Sequence, residues 1–380
     1  MNRIYLDHAA TTALSPEALR EMMPYLTECY GNPSSVHGPG REARRALDQA
    51  RRRLAAVLGA EPREILFTSG GSESDNWAIK GIALSRREAG RHVITSAIEH
   101  HAVLHACRWL EAQGFEVTYL PVDREGRVDP AEAERAIRKD TVLISVMTAN
   151  NEIGTLQPVA EIGEIARRHG IPFHTDAVQA LGAVPLDVRE LPADLMSLSA
   201  HKFHGPRGVG ALYLRKGIRI ESLIHGGAQE RGLRAGTENL AGIVGMARAA
   251  ELAVQNLAER TARVARLRDE LIRGIRERIP EAVLNGSETE RLPGNVHFTF
   301  PEVDGEALLL RLDLAGIACS GGSACTSGSA EPSHVLAALG QDERLSRGGL
   351  RMTLGEENTE AEIREVLTVL PEIVRDLRRR

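Results

Sequence analysis

Lys202 stands in Leu198-Ser199-Ala200-His201-Lys202-Phe203-His204-Gly205-Pro206, directly after an apolar run that reads as a strand. Of the 47 basic residues only four are lysines, Lys80, Lys139, Lys202 and Lys216, so a lysine in such a cluster departs from the chain's habit. Lys80 on a helix, and Lys139 and Lys216 beside charged turns, are expected to be solvated, which leaves Lys202 as the lysine for chemistry. In Phe173-His174-Thr175-Asp176-Ala177-Val178-Gln179, Asp176 is expected just past the carboxyl end of a buried strand, where open α/β sheets bind ligands. A carboxylate there either caps the next helix or holds a cationic ligand atom. In Phe67-Thr68-Ser69-Gly70-Gly71-Ser72-Glu73-Ser74-Asp75-Asn76 a strand, a Gly-Gly turn and a helix follow one another. That is either a plain βα turn or a cradle whose N–H groups and helix end face a phosphate. It has neither the Walker A lysine nor the GxGxxG spacing. Cradle, carboxylate and lysine together suggest pyridoxal phosphate. The amine would bond the aldehyde, and the carboxylate would keep the ring nitrogen protonated so that the ring accepts electrons.

The cysteines are Cys29, Cys107, Cys319 and Cys325, with no CxxC pair and too few for a disulfide scaffold. Cys325 falls in Cys319–Ser329, a glycine- and serine-rich loop by composition, where a thiol is either a nucleophile or an idle surface group. Cys319 follows Gly316-Ile317-Ala318 and reads as a packed strand end. His101 and His105 have i,i+4 helical spacing, but no Glu follows the first as in a zincin, and no metal is expected. His8, His37, His204 and His225 read as turn or core residues, with His8 near enough to the opening motif to line a site. Arg51-Arg52-Arg53 reads as a solvated helix face and Arg378-Arg379-Arg380 as a frayed end.

Strands are expected at Ile65–Thr68, Val93–Ser96, Val117–Leu120, Val142–Met147, Ile171–His174, Leu195–Ser199 and Val209–Leu214. Helices such as Arg41–Leu58 and Val159–His169 are set among them and closed by Gly59 and Gly170. Apolar strands interleaved with helices specify an α/β layer with a mostly parallel sheet. The last two strands are too close for a crossover helix, so one is expected to run antiparallel. Ala247–Ile279 reads as a long charge-laced helical stretch with a boundary inside it. Strands at Val296–Phe300 and Leu350–Leu354 follow, then a helix from Thr359 with a Thr359–Glu362 capping box and a kink at Pro371. The fold class expected is α/β, a seven-stranded large domain at 16–256 and a smaller α+β domain from 1–15 and 257–380. The net charge of −5 gives no bulk basicity for nucleic acid or anionic membranes. No apolar run approaches the roughly 18 residues of a membrane span, so a cytoplasmic protein is expected.

Tyr5-Leu6-Asp7-His8-Ala9-Ala10-Thr11-Thr12, Glu99-His100, Asn150-Asn151-Glu152-Ile153-Gly154, Ser199-Ala200-His201-Lys202, Arg234-Ala235-Gly236-Thr237-Glu238-Asn239 and Ser323-Ala324-Cys325-Thr326-Ser327 occur in this order. In them the chain resembles, over essentially its whole length, a cysteine desulfurase of the NifS/IscS type. That is a class-V aminotransferase relative among the fold-type I pyridoxal phosphate enzymes. The resemblance implies Lys202 as the Schiff-base lysine, Asp176 as partner of the pyridinium, Gln179 at the ring hydroxyl and His100 on the ring face. It implies Gly71, Ser72, Ser199 and His201 at the phosphate, with Thr237 reaching the phosphate from the second subunit of a homodimer. Asn151 would contact cofactor or substrate, and Arg351 would fork onto the carboxylate of L-cysteine. Lys202 would move the α-proton, and Cys325, deprotonated with help from His100, would take the sulfur as a persulfide and leave L-alanine. An iron–sulfur scaffold or another sulfur acceptor would be the partner. The family usually has Ala-Thr where this chain has Gly71-Ser72, which is expected to keep phosphate binding with looser geometry. A selenocysteine lyase or another class-V pyridoxal enzyme is the alternative on the same fold.

Overall fold

The computed structural model describes residues 3–321 and 333–379. Among them lie strands β1 (Ile4–Tyr5), β2 (Ile65–Thr68), β3 (His92–Ser96), β4 (Glu116–Leu120), β5 (Thr141–Ser145) and β6 (Phe173–Asp176). These are followed by β7 (Leu195–Ser199), β8 (Gly210–Leu214), β9 (Val283–Leu284), β10 (Asn295–Thr299), β11 (Ile317–Ala318) and β12 (Gly349–Thr353). The large sheet has seven strands in the order β2-β8-β7-β6-β5-β3-β4. Only β8 runs against its neighbours, as the short β7–β8 connection requires. The carboxyl ends of β2, β3, β5, β6 and β7 therefore open on one edge, where a doubly wound sheet binds its ligands.

Strand β6 begins two residues later than the sequence suggests, because Pro172 has no N–H for the ladder. Asp176 is consequently the last residue of the strand rather than just past its end. Strand β5 ends at Ser145, two residues short of Met147, whose N–H is taken by Glu99 Oε1 at 3.0 Å.

One face of this sheet packs on helices Gly38–Leu58 and Leu240–Val254 through Leu47, Leu54, Met196, Leu198, Val244 and Met246. The other packs on Gly71–Ser85 and His101–Ala112 around Trp77, Ile79 and Leu110. Each such fully buried side chain contributes about 1.5–3 kcal/mol. Gly38–Leu58 starts three residues before the expected Arg41, since Pro39 and two glycines are tolerated in a first turn whose N–H groups need no helical acceptor. Gly59, at φ +69°, closes it with bonds to the Ala55 and Ala56 carbonyls.

The helical stretch over 247–279 consists of two helices, Leu240–Val254 and Leu257–Arg278, broken at Gln255 and Asn256, the latter at φ +51°. The first is buried on nearly all sides, so its charge pattern is not that of a surface helix. A second apolar cluster gathers Ile4, Leu6, Leu271, Phe298, Met352 and Leu370. It joins the antiparallel sheet β12-β10-β9, the parallel pair β1-β11 and the helices Leu257–Arg278 and Glu360–Arg378. The Thr359–Glu362 capping box is formed. The last helix runs on through Pro371, and the Leu367 carbonyl that the proline cannot bond accepts from the Arg278 guanidinium instead.

Of Arg51-Arg52-Arg53 only Arg52 is exposed. Arg51 is buried and bidentate on Glu230 at 2.6 and 2.7 Å, and Arg53 forks onto Glu21 and Glu251. Lys80 is half-buried, 4.8 Å over the Trp109 ring. No helix among the described residues is long and apolar enough to cross a membrane.

Candidate active site

Five strand ends deliver the site. Beyond β2, Gly70 at φ +155° turns the chain so that Gly71 and Ser72 open the helix Gly71–Ser85. The N–H groups of a first helical turn have no acceptor within the helix, so this end offers donors that an anion can meet. Ser199 ends β7, and its side chain lies beside the turn, with Oγ 3.8 Å from where a Cβ on Gly70 would stand. No side chain could replace Gly210 behind the turn, where a Cβ would come within 2.6 Å of Gly70 Cα.

The short helix Ala200–Lys202 continues from β7. Lys202 Nζ donates to the carbonyls of Ala9 at 2.5 Å and Ala10 at 2.9 Å, and Gln179 Nε2 donates to the same Ala9 carbonyl at 3.0 Å. His201 lies 3.1 Å from the Thr11 hydroxyl through Nδ1, and its carbonyl accepts from Thr12. Burial and then Lys202 draw its pKa down to about 4. The opening segment Asp7–Thr12 is thus held against the lysine by both its carbonyls and its hydroxyls.

Asp176 is buried and accepts from the Val178 N–H at 2.9 Å, an Asx-turn contact that aims the carboxylate. Burial pushes its pKa up to about 6, while the Val178 bond and Lys202 pull the other way. Behind it sits a group the sequence reading did not single out. Asp75 is 1% exposed, and neither carboxyl oxygen has a hydrogen-bond partner within bonding distance among the described residues. Burial, reinforced by Asp176, raises its pKa well above the carboxylate range. His174 fills the space between, within 2.8 Å of Ser145 Oγ, 2.9 Å of Ser197 Oγ and 3.7 Å of Asp75. Burial keeps its ring neutral, with a pKa near 3. The only signal for Asp75 was its place four residues into the helix after the glycine turn.

His100 caps the helix His101–Ala112, with Nδ1 accepting from the Ala102 N–H at 3.1 Å. Burial, and next Lys202, lowers its pKa to about 4. A neutral ring whose Nδ1 accepts carries its hydrogen on Nε2 and donates there. To take a thiol proton, the ring must first give up this cap. The His101 ring lies tilted against those of His105 and His334, with centroids 5.1 and 4.6 Å away.

Arg351 lies in β12, 1% exposed. It donates through Nη1 to the Asn151 carbonyl at 2.8 Å and through Nη2 to Ser320 Oγ at 2.8 Å and Asp7 at 3.0 Å. The structure thus brings Arg351 and Asn151 together as the sequence reading grouped them, with Asp7 and Ser320 added. Thr237 stands exposed in the loop before Leu240, without a side-chain hydrogen bond among the described residues. The loop is tied to the helix Gly71–Ser85 by Arg234, 2.9 Å from Glu73. Cys325 lies outside the described residues. A cavity of 790 Å³ opens beside Lys202 and Gln179 and is also lined by His8, Asn295, Thr353 and Glu357.

The aminotransferase class-V family matches residues 4–366. A relative named cysteine desulfurase IscS, from Methanosarcina thermophila, is 57% identical over 99% of this chain and 93% of its own length. One of the same name from Clostridium botulinum is 54% identical over 100% of this chain and 96% of its own. The chain belongs to the class-V aminotransferase family, among the cysteine desulfurases. A solved NifS-like protein superposes with a TM-score of 0.93 at 42% identity, covering 98% of this chain and all of that one. The structure titled SspA in complex with cysteine gives 0.81 at 39%, covering 94% of this chain and all of its own.

This family works with pyridoxal phosphate, and the donor set fits that group. An amine, a buried carboxylate, an amide, an imidazole and a glycine cradle with nearby hydroxyls all face one sheet edge.

Proposed function

We propose that this class-V enzyme removes sulfur from L-cysteine, releasing L-alanine, and that Cys325 carries the sulfur as a persulfide to an acceptor protein. The observation that carries the reading is the convergence of Lys202 and Asp176 from the ends of adjacent strands β7 and β6 on the edge that holds the Gly70-Gly71 cradle. Gly71, Ser72, Ser199 and His201 would hold the phosphate, Asp176 the ring nitrogen, Gln179 the ring hydroxyl and His100 the ring face. When bound, pyridoxal phosphate supplies an aldehyde for the amine and a ring that accepts electrons. A cationic ring nitrogen beside Asp176 favours the ionised carboxylate, against the effect of burial.

Lys202, once its amine is free, moves the proton at the substrate's α-carbon, and Arg351 with Asn151 orients the carboxylate. The Cβ–S bond of cysteine breaks and an S–S bond forms at Cys325. The two thiols together supply the hydrogens of one persulfide and one methyl group, so no outside oxidant is needed. His100 donates or accepts the protons exchanged at sulfur.

Thr237, exposed in its loop, is suited to complete the phosphate site of a second copy, and a homodimer belongs to this reading. So do a cytoplasmic location, an iron–sulfur scaffold as acceptor, and a division into a cofactor unit at 16–256 and a smaller unit at 1–15 and 257–380. Support for that division comes from the helix break at Gln255 and Asn256 and from the apolar cluster that takes in Ile4 and Leu6.

The test is intact mass after anaerobic incubation of the cofactor-loaded enzyme with L-cysteine, with alanine measured in the same tube. A reductant-labile gain of one sulfur at Cys325 that accompanies alanine supports the reading. Alanine with no persulfide, in the wild type, would sink the carrier role of Cys325.

A further inference from the structure

The guanidinium that faces the substrate in this reading is already engaged by an anion of the chain itself. Asp7 Oδ1 accepts from Arg351 Nη2 at 3.0 Å and from Ser320 Oγ at 2.9 Å, and Ser320 Oγ in turn accepts from the same Nη2 at 2.8 Å. Nη1 is held by the Asn151 carbonyl. The triangle is locked by the backbone: Arg351 N–H donates to the Ser320 carbonyl at 2.7 Å, and β12 bridges to Asp7 through Thr353. The Arg351 side chain is 2% exposed and that of Asp7 19%, so Asp7 is the partner that reaches the solvent side. A buried guanidinium needs an anion beside it, and a second anion arriving at one cation gains less than the first.

We propose that Asp7 sets the affinity for the α-carboxylate of substrate and product by competing with it for Arg351. This rests on Arg351 being the carboxylate ligand. Asp7 then acts as a positioning residue. It keeps the empty site neutral and the arginine in place, and it weakens the hold on alanine so that product leaves. Ser320 keeps Asp7 at hand by accepting from Arg351 while donating to Asp7.

The experiment uses cofactor-loaded enzyme and titrates the cofactor's visible absorbance with L-alanine and, separately, with L-alaninamide, which lacks the carboxylate. Asp7→Asn keeps the shape and removes the charge. It should tighten L-alanine by roughly fivefold or more, as expected for removing a close competing charge, and leave L-alaninamide unchanged. The KM for L-cysteine should fall without a rise in kcat. An L-alanine affinity that is unchanged or weaker overturns the proposal. Asp7→Ser is the second neutral variant, and failure of both to fold would assign Asp7 to structural neutralisation of Arg351 and likewise overturn it. Arg351→Gln tests the underlying reading separately: if it leaves the L-alanine to L-alaninamide preference of the wild type intact, Arg351 is not the carboxylate ligand.

Discussion

Lys202 Nζ donates to the Ala9 carbonyl at 2.5 Å, joining residues 193 apart in sequence. The bond anchors the N-terminal segment over the sheet edge and parks the amine where Gln179 shares the same acceptor.

Lys202→Ala should remove the amine without unfolding the protein. Losing proton transfer alone lowers the rate about 10²–10⁴-fold. The two lost hydrogen bonds cost about 1 kcal/mol each. Alanine release, measured alongside the urea midpoint, checks both, and partial rescue of activity by added methylamine is expected. A variant that retains more than a tenth of wild-type activity would remove Lys202 from the chemistry.

Asp176→Asn keeps the Val178 turn contact but cannot stabilise a cationic ring nitrogen. A fall in kcat of about 10²–10³-fold is expected, the scale of losing one directed electrostatic contact. Cofactor attachment through Lys202 should persist. Absorbance and kcat measured on one preparation separate the two effects.

The parts of this site that lie at strand ends are legible in sequence, because short apolar runs mark β2 and β7 and the chemistry follows within a few residues. The Lys202 cluster and the glycine turn are found this way. Asp7 and Arg351 are 344 residues apart, and nothing in either neighbourhood announces that β1 and β12 bring them together. The role of His100 as a helix cap is likewise set by local backbone geometry that its type does not reveal. Arg51 failed as a surface residue for the same kind of reason: its partner, Glu230, comes from a turn 179 residues later. The strand that carries Asp176 lies two residues later than its apolar run suggests, since Pro172 has no N–H for the ladder.

Glu99 should make stability pH-dependent. It is buried and accepts from Ser96 Oγ at 2.5 Å and from the Met147 N–H at 3.0 Å, while Oε2 has no partner among the described residues. Burial raises its pKa from 4.5 to about 8. The folded state therefore holds a proton that the unfolded chain releases. The resulting stability is fully present below pH 4.5 and is lost as pH rises through 8. Glu99→Gln has no such proton to lose. Relative to the wild type it should gain stability across that window, by at most about 1.4 kcal/mol per pH unit, and run parallel at higher pH. Urea midpoints of both proteins in a pH series check this, and curves parallel throughout would mean that Glu99 is ionised in the folded protein.

Gly71 and Val178 are coupled by space. A Cβ at Gly71 would stand 2.7 Å from Val178 Cγ2, closer than carbon atoms pack. Valine is stiff at χ1 and cannot swing this methyl away cheaply. An alanine at this place would therefore press on Val178, and one of the two must shift. Gly71→Ala should push the cradle from the methyl and cost about 1–3 kcal/mol as overpacking. Part of that cost should appear as weaker retention of pyridoxal phosphate. Val178→Ala removes the clashing atom, so the double variant should recover most of the loss. The check is a double-mutant cycle on thermal midpoint and on cofactor dissociation. Additive effects would show that the cradle gives way elsewhere and that Gly71 is kept for another reason.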